Sequence, residues 1–148
     1  MGADQAPARK VPAHVVRYWQ NVDVHRSRIA LMCLDIPHRH REAATAFWEI
    51  AVGARARTGE RYPEYSAFEG EGGRGLLLQG VGDDEGRVHF DIHTDNREAE
   101  CERLLAAGAT HVGGQDDWVV LRDPAGIIFC VVEVPGDHDS LVGAQTWE

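Results

Sequence analysis

Part of this chain occurs twice. Asp35-Ile36 is followed by Arg41-Glu42-Ala43, and Asp91-Ile92 is followed by Arg97-Glu98-Ala99; all five residues match at an offset of 56 without a gap. The correspondence continues downstream. The run AVGA from Ala51 answers AAGA from Ala106, and GLLLQGV from Gly75 answers GIIFCVV from Gly126. Agreement in order, spacing and element type marks one structural unit present in two copies, and such self-similarity constrains architecture before any other signal does.

Hydrophobic periodicity says what the unit contains. Ile29–Ile36 reads as a strand stopped by Pro37, and His38–Val52 reads as a helix with Ala43, Ala46, Phe47 and Ile50 on one face and Gly53 as its cap. Glu64–Glu69 and Gly75–Val81 read as strands joined by the turn EGEGGRG, with a further short strand near 55–58. The second copy runs strand Arg87–His93, helix Arg97–Ala107, then strands Thr110–Gly113, Trp118–Arg122 and Gly126–Val134, the last two joined by the turn DPAG. Each copy is therefore strand, helix, three strands, which leaves one sheet face bare. Two such faces, from one chain or from two, enclose a cleft of the kind that binds small ligands. The expected fold is α+β: two tandem βαβββ units forming a curved mixed sheet around a cavity. The domain spans 28–135, with repeats at 28–82 and 87–135. Residues 1–27 are read as an extension in which Val15, Tyr18, Trp19 and Val22 predict a short helix, and 136–148 as a polar, peripheral tail.

Charge and cysteine usage exclude several classes. A net charge of -9, from 24 acidic residues against 15 Lys and Arg, argues against nucleic acid and anionic membrane as partners, because both need clustered cations. No apolar run approaches the roughly 18 residues a bilayer span needs, and the N-terminal residues show no secretory apolar core. Three cysteines, Cys33, Cys101 and Cys130, without framework spacing read as reduced thiols of a cytoplasmic protein.

The two βαβββ units, the segment RVHFDIHTDNREAECERLLAAGAT and the segment WVVLRDPAGIIFCVV resemble the vicinal oxygen chelate superfamily over about residues 28–135. They are most similar to its glyoxalase-like, bleomycin-resistance-like branch, of a type common in actinobacteria. The resemblance implies that metal-binding members carry ligands on the first and last strand of each half. The internal repeat locates those positions here as Cys33 and His89 on the first strands, Gln79 and Cys130 on the last. The family's pattern of His or Gln with Glu is thus replaced by a set without a carboxylate. A hard octahedral ion prefers imidazole and carboxylate, so the family metal is not expected; two thiols and an imidazole leave zinc as the one ion to consider. The alternative for Cys33 and Cys130 is simple packing, the usual role of a buried cysteine.

Strand alternation adds neighbours. If His89 faces the cavity, Asp91 and His93 face it too, with Val88, Phe90 and Ile92 turned toward the helix; likewise Asp35 lies beside Cys33, and Ile128 and Val132 beside Cys130. A histidine beside a carboxylate can serve as a general base, so His89 and Asp91 are the candidate catalytic pair. Cys33, Asp35, Tyr65, Gln79, His93, Trp118 and Cys130 are candidate ligand-binding residues. His38 and His40, in PHRHRE, read as a solvated loop. The functional expectation is a glyoxalase-like protein that binds a small molecule, a lyase or isomerase acting on a small oxygenated metabolite with a degenerate metal site. The alternative is a protein that sequesters a drug or metabolite without turnover. The resemblance further implies a homodimer.

Overall fold

Strand β1 (His25–Pro37) organises the molecule. One of its edges pairs in parallel with β3 (Gly75–Val81), and the other pairs antiparallel with β4 (Arg87–Thr94). In this computed structural model, which describes residues 24–70, 74–82 and 85–148, the two copies therefore join edge to edge within one chain, first strand against first strand. β2 (Tyr65–Glu69) extends the first half beyond β3; β7 (Ile128–Glu133), β6 (Trp118–Arg122) and β5 (Thr110–Gln115) extend the second beyond β4. The strand order is β2-β3-β1-β4-β7-β6-β5, with β8 (Gln145–Trp147) added on the first residues of β1. The strand expected near 55–58 is reduced to a single bridge between Arg57 and Ala67. Parallel pairing within each half, β1 with β3 and β4 with β7, needs a crossover, which the helices supply.

Helix α1 (Arg41–Val52) follows a 3-10 turn at His38–His40 and ends at Gly53, whose φ of 76° needs no side-chain concession from glycine. Its expected apolar face is corrected by the structure. Ala44 and Trp48 pack on the core of Ile36, Phe68 and Leu78, whereas Phe47 and Ile50 are 61% and 84% exposed. The inward face is fixed by Glu49, which accepts from the backbone N–H of Ala56 and from Arg55 and so ties the following loop to the helix. Counting apolar residues alone misses that anchor.

Helix α2 (Arg97–Ala106) is capped by Asn96, whose side chain accepts from the Ala99 N–H. It buries Glu100 completely. The carboxylate of Glu100 accepts from His25 Nε2 (2.8 Å), Ser27 Oγ (2.9 Å) and Arg103 Nε and Nη2 (2.9 and 2.8 Å). Burial alone would raise its pKa, but Arg103, His25 and Ser27 together hold it below the usual carboxylate range. Trp147 of β8 donates to Ser27 and lies 3.7 Å beneath the Arg103 guanidinium.

The segment expected to be a peripheral tail is thus built in: β8 pairs with β1, and Ser140 and Leu141, in a 3-10 helix at Asp139–Leu141, are buried. Its polar composition is misleading because its few buried groups are satisfied by specific partners rather than by an apolar stripe. The helix read from Val15 to Val22 lies outside the described residues, as do three residues of the EGEGGRG turn.

Candidate functional site

A cavity of about 480 Å³ opens on one face of the sheet, lined from both halves. Alternation places side chains there as expected. His89, Asp91 and His93 of β4 line it, as do Ile128, Cys130 and Val132 of β7 and Trp118 and Val120 of β6. The first half contributes Asp35 from β1, Tyr65 from β2 and Gln79 from β3. Cys33 is not on the surface of the cavity but fully buried beside His89, its cross-strand partner. The opposite parity of β4 points away from the cavity, but the helices do not cover it: Val88 is 54% and Phe90 37% exposed.

His89 sits at the seam of the two halves. Its Nδ1 is 3.3 Å from Asp35 Oδ2 and its Nε2 is 3.4 Å from Asp91 Oδ1. The second oxygen of Asp35 and Oδ1 of Asp91 are buried without a hydrogen-bond partner among the described residues, so the contact with Nε2 is an ion pair rather than an aligned hydrogen bond. Arg87 donates to Asp35 Oδ2 at 2.6 Å. Burial alone would favour neutral His89. The flanking Asp35 and Asp91, with Cys130 and Cys33 adding smaller contributions, outweigh it and hold the ring well above the ordinary histidine value. Burial also opposes the Asp35 charge, but His89 and Arg87 pull its pKa below normal. The arrangement is a buried imidazole clamped between two carboxylates, which favour its protonated form.

Burial pushes the Cys33 thiol up to about 12, with His89 opposing and Asp91 reinforcing. Tyr65 is likewise raised to about 12, by burial and then by Glu64, and stays a phenol. Both keep their protons at neutral pH.

Cys33, His89 and Asp91 place one donor atom each within 4.8 Å of one another, a group that could hold a metal ion. The set was tested against the ion the resemblance implies. A hard octahedral ion wants imidazole and carboxylate, and here a thiol takes one strand position while no glutamate stands at any of the four. Zinc would accept these residue types, but it needs a thiolate and a ring nitrogen with a free lone pair. Without an ion, burial favours the protonated thiol, and both ring nitrogens face carboxylates. The residues as arranged offer an imidazole, a carboxylate and a thiol, without the glutamates of the family pattern.

Several lining groups escape sequence reasoning, among them Arg87, Arg61, Tyr62, Asp117 and Glu133. Arg87 shares the parity of His89 and is the register partner of Asp35, so alternation could have found it. Arg61, Tyr62 and Asp117 lie in loops, where no periodicity operates. Arg61 donates to Asp117 Oδ2 at 3.0 Å and Tyr62 donates to the same oxygen, joining the two halves across the cavity rim. Tyr62 also stacks on Tyr65, with centroids 5.3 Å apart.

Comparison with known proteins bears on this geometry. A family model described as a glyoxalase-like domain matches residues 31–132. No curated protein matches the chain. Among solved structures, the fold is similar to that of an NAD-dependent benzaldehyde dehydrogenase from Legionella pneumophila (TM-score 0.54, 13% identity, 70% of this chain and 97% of that one). It is also similar to the Mn(II)-bound glyoxalase from Novosphingobium aromaticivorans (TM-score 0.52, 17% identity, 74% and 40%). A third is 2,2',3-trihydroxybiphenyl 1,2-dioxygenase from Sphingomonas wittichii (TM-score 0.51, 11% identity, 73% and 40%). The chain spans 40% of the length of each of the latter two. Three differently named proteins at such identities share this chain's fold and point to no single reaction.

Proposed function

The chain belongs to the glyoxalase-like domain family, and from that premise we propose that its cavity is the active site of a lyase or isomerase acting on a small oxygenated metabolite. The observation that carries this reading is the position of His89 between Asp35 and Asp91 on the cavity floor.

In this reading His89, with its protonated form favoured there, does not act as the base considered from the sequence. It is a donor. Its Nε2–H can turn from Asp91 toward a carbonyl or hydroxyl oxygen placed in the cavity and stabilise negative charge that develops on it. A metal ion in other members supplies the same stabilisation as a Lewis acid. One such preorganised donor contributes on the order of 10²–10³ in kcat. Asp35, itself held by Arg87, fixes the ring at Nδ1. Trp118, Ile128 and Val132 supply apolar walls, and Tyr65 and Gln79 supply polar contacts for the ligand.

The test combines elemental analysis of the purified protein with a panel of carbonyl compounds bearing an adjacent hydroxyl or carboxyl group, assayed for turnover and for thermal stabilisation. The expected result is no stoichiometric metal, turnover of at least one compound class, and a loss of about 10²–10³ in kcat on His89→Gln with binding retained. Stabilisation without turnover across the panel would replace the enzyme by a sequestering protein. Stoichiometric zinc that leaves on Cys33→Ser would replace the bound proton by a metal.

A further inference from the structure

His93 also lines the cavity, one full turn of alternation beyond Asp91, and its surroundings differ from those of His89. Its Nδ1 is 2.7 Å from the hydroxyl of Ser140, which is fully buried. The same hydroxyl is 2.7 Å from Nδ1 of His138, an exposed residue. The backbone N–H of Ser140 also points at His138 Nδ1, at 3.1 Å, where it caps the 3-10 helix.

These contacts fix the direction of every hydrogen bond in the chain. A backbone N–H can only donate, so His138 Nδ1 accepts and carries no proton. The hydrogen between that nitrogen and the Ser140 oxygen is then the serine's own. Having given its hydrogen, the oxygen accepts from the other side, and among the described residues the donor there is Nδ1–H of His93. In a neutral ring this leaves the lone pair on Nε2. Among the described residues no protein group uses that nitrogen, and it is not one of the buried polar atoms left without a partner. It is open to whatever the cavity holds.

We propose that His93 is the cavity's proton acceptor, with Ser140 and His138 as positioning residues that set its tautomer. The proton of a ligand hydroxyl, or of a carbon beside a carbonyl, passes to Nε2; the ligand keeps the bonding electron pair, and nothing is oxidised or reduced. The proton then leaves Nε2 for water in the cavity, while Nδ1–H stays hydrogen-bonded to Ser140 and His138 Nδ1 stays an acceptor. One proton leaves the ligand and one reaches solvent. Burial, aided by His138 and opposed by Asp91, holds His93 below the ordinary histidine value, in keeping with a ring that is neutral before it reacts. Two histidines of one strand, one charged and one neutral, would thus divide acid and base roles by their surroundings. This assignment rests on the cavity being the ligand site, and not on the role given to His89.

Nitrogen-resolved NMR of the imidazole rings, in uniformly ¹⁵N-labelled protein at neutral to mildly alkaline pH, tests it without a substrate. The expected result is the Nδ1–H tautomer at His93 and the Nε2–H tautomer at His138 in the unmodified protein, with His93 reverting to the Nε2–H form, which free histidine prefers, on Ser140→Ala. A His93 ring carrying its proton on Nε2 in the unmodified protein overturns the proposal outright, whether or not the variant folds. A His93 tautomer unchanged by Ser140→Ala, in a variant with the native spectrum elsewhere, overturns the positioning role. Once a turned-over compound is known, His93→Gln is expected to lower kcat by at least 100-fold with binding retained. An unchanged kcat would remove His93 from the reaction while leaving the role of His89 untouched.

Discussion

Glu100→Gln isolates the buried charge that ties helix α2 to the first and last strands. The carboxylate accepts four hydrogen bonds, and each oxygen serves one Arg103 nitrogen together with one other donor, Ser27 on Oε1 and His25 on Oε2. Glutamine keeps the volume but turns one oxygen into a donor, so whichever way the amide is placed two donors meet two donors. Breaking a buried ion pair from one side costs about 3–5 kcal/mol. The Arg103 side chain is 30% exposed, which discounts its share for solvent screening and favours the lower end of that range. At about 2–4 °C per kcal/mol for a chain of this size, Tm should fall by roughly 6–20 °C. The pH dependence gives a second handle. The folded-state pKa of Glu100 is lowered from 4.5, so its stabilisation is fully present above that value and is lost as pH falls through the lower, folded value. The gap between the unmodified protein and the variant should therefore begin to close below about pH 4.5. Urea titrations followed by circular dichroism at several pH values measure it. A gap under about 1 kcal/mol at pH 7, or one that widens on acidification, would refute the assignment of a paired, buried carboxylate.

Other outcomes follow from single features. Leu121→Ala, at a fully buried position of β6, should cost about 2–5 kcal/mol in the same titration. Cys33, with its thiol pushed up to about 12 and no exposed surface, should resist iodoacetamide at pH 8 in the folded protein and react once urea unfolds it; mass spectrometry of the labelled peptide decides. Asp117→Ala removes the acceptor shared by Arg61 and Tyr62 and should change stability by less than about 1 kcal/mol, because those contacts are exposed, while altering ligand affinity at the rim. Sedimentation of the intact chain tests the homodimer implied by the resemblance: a single species of twice the chain mass is expected, and a monomer at all concentrations removes it.

The repeat carried most of the architecture because a duplicated unit writes its boundaries twice. Pro37 and Gly53 bound the first helix and Gly108 follows the second, and the equivalent strands take equivalent places in the sheet. Period-two alternation was equally legible for β4 and β7, where every second side chain meets the cavity. What stayed hidden depends on partners distant in sequence. The inward face of α1 is decided by Glu49 and Trp48 against apolar residues that outnumber them. The built-in C-terminal segment turns on Ser140 and Trp147 reaching His93 and Ser27, 47 and 120 residues away. The protonation of His89 depends on Asp35 from the other half. Composition and periodicity are local quantities, and none of these three is a local fact.

The strand that bears His89, Asp91 and His93 is the middle one of seven, with hydrogen-bonded neighbours on both sides. Its backbone is paired with β1 along its whole length and with β7 from Phe90 to Thr94, so its side chains hold their spacing as the periphery moves. The residues at the mouth of the cavity, Arg61, Tyr62, Asp117 and Trp118, come instead from loops and an outer strand, which tolerate change most cheaply. A lineage built on this plan can therefore alter which molecule is admitted by editing its margins and leave the proton-handling groups at the centre untouched. Diversification of ligand choice and constancy of chemistry are mechanically decoupled in the sheet itself.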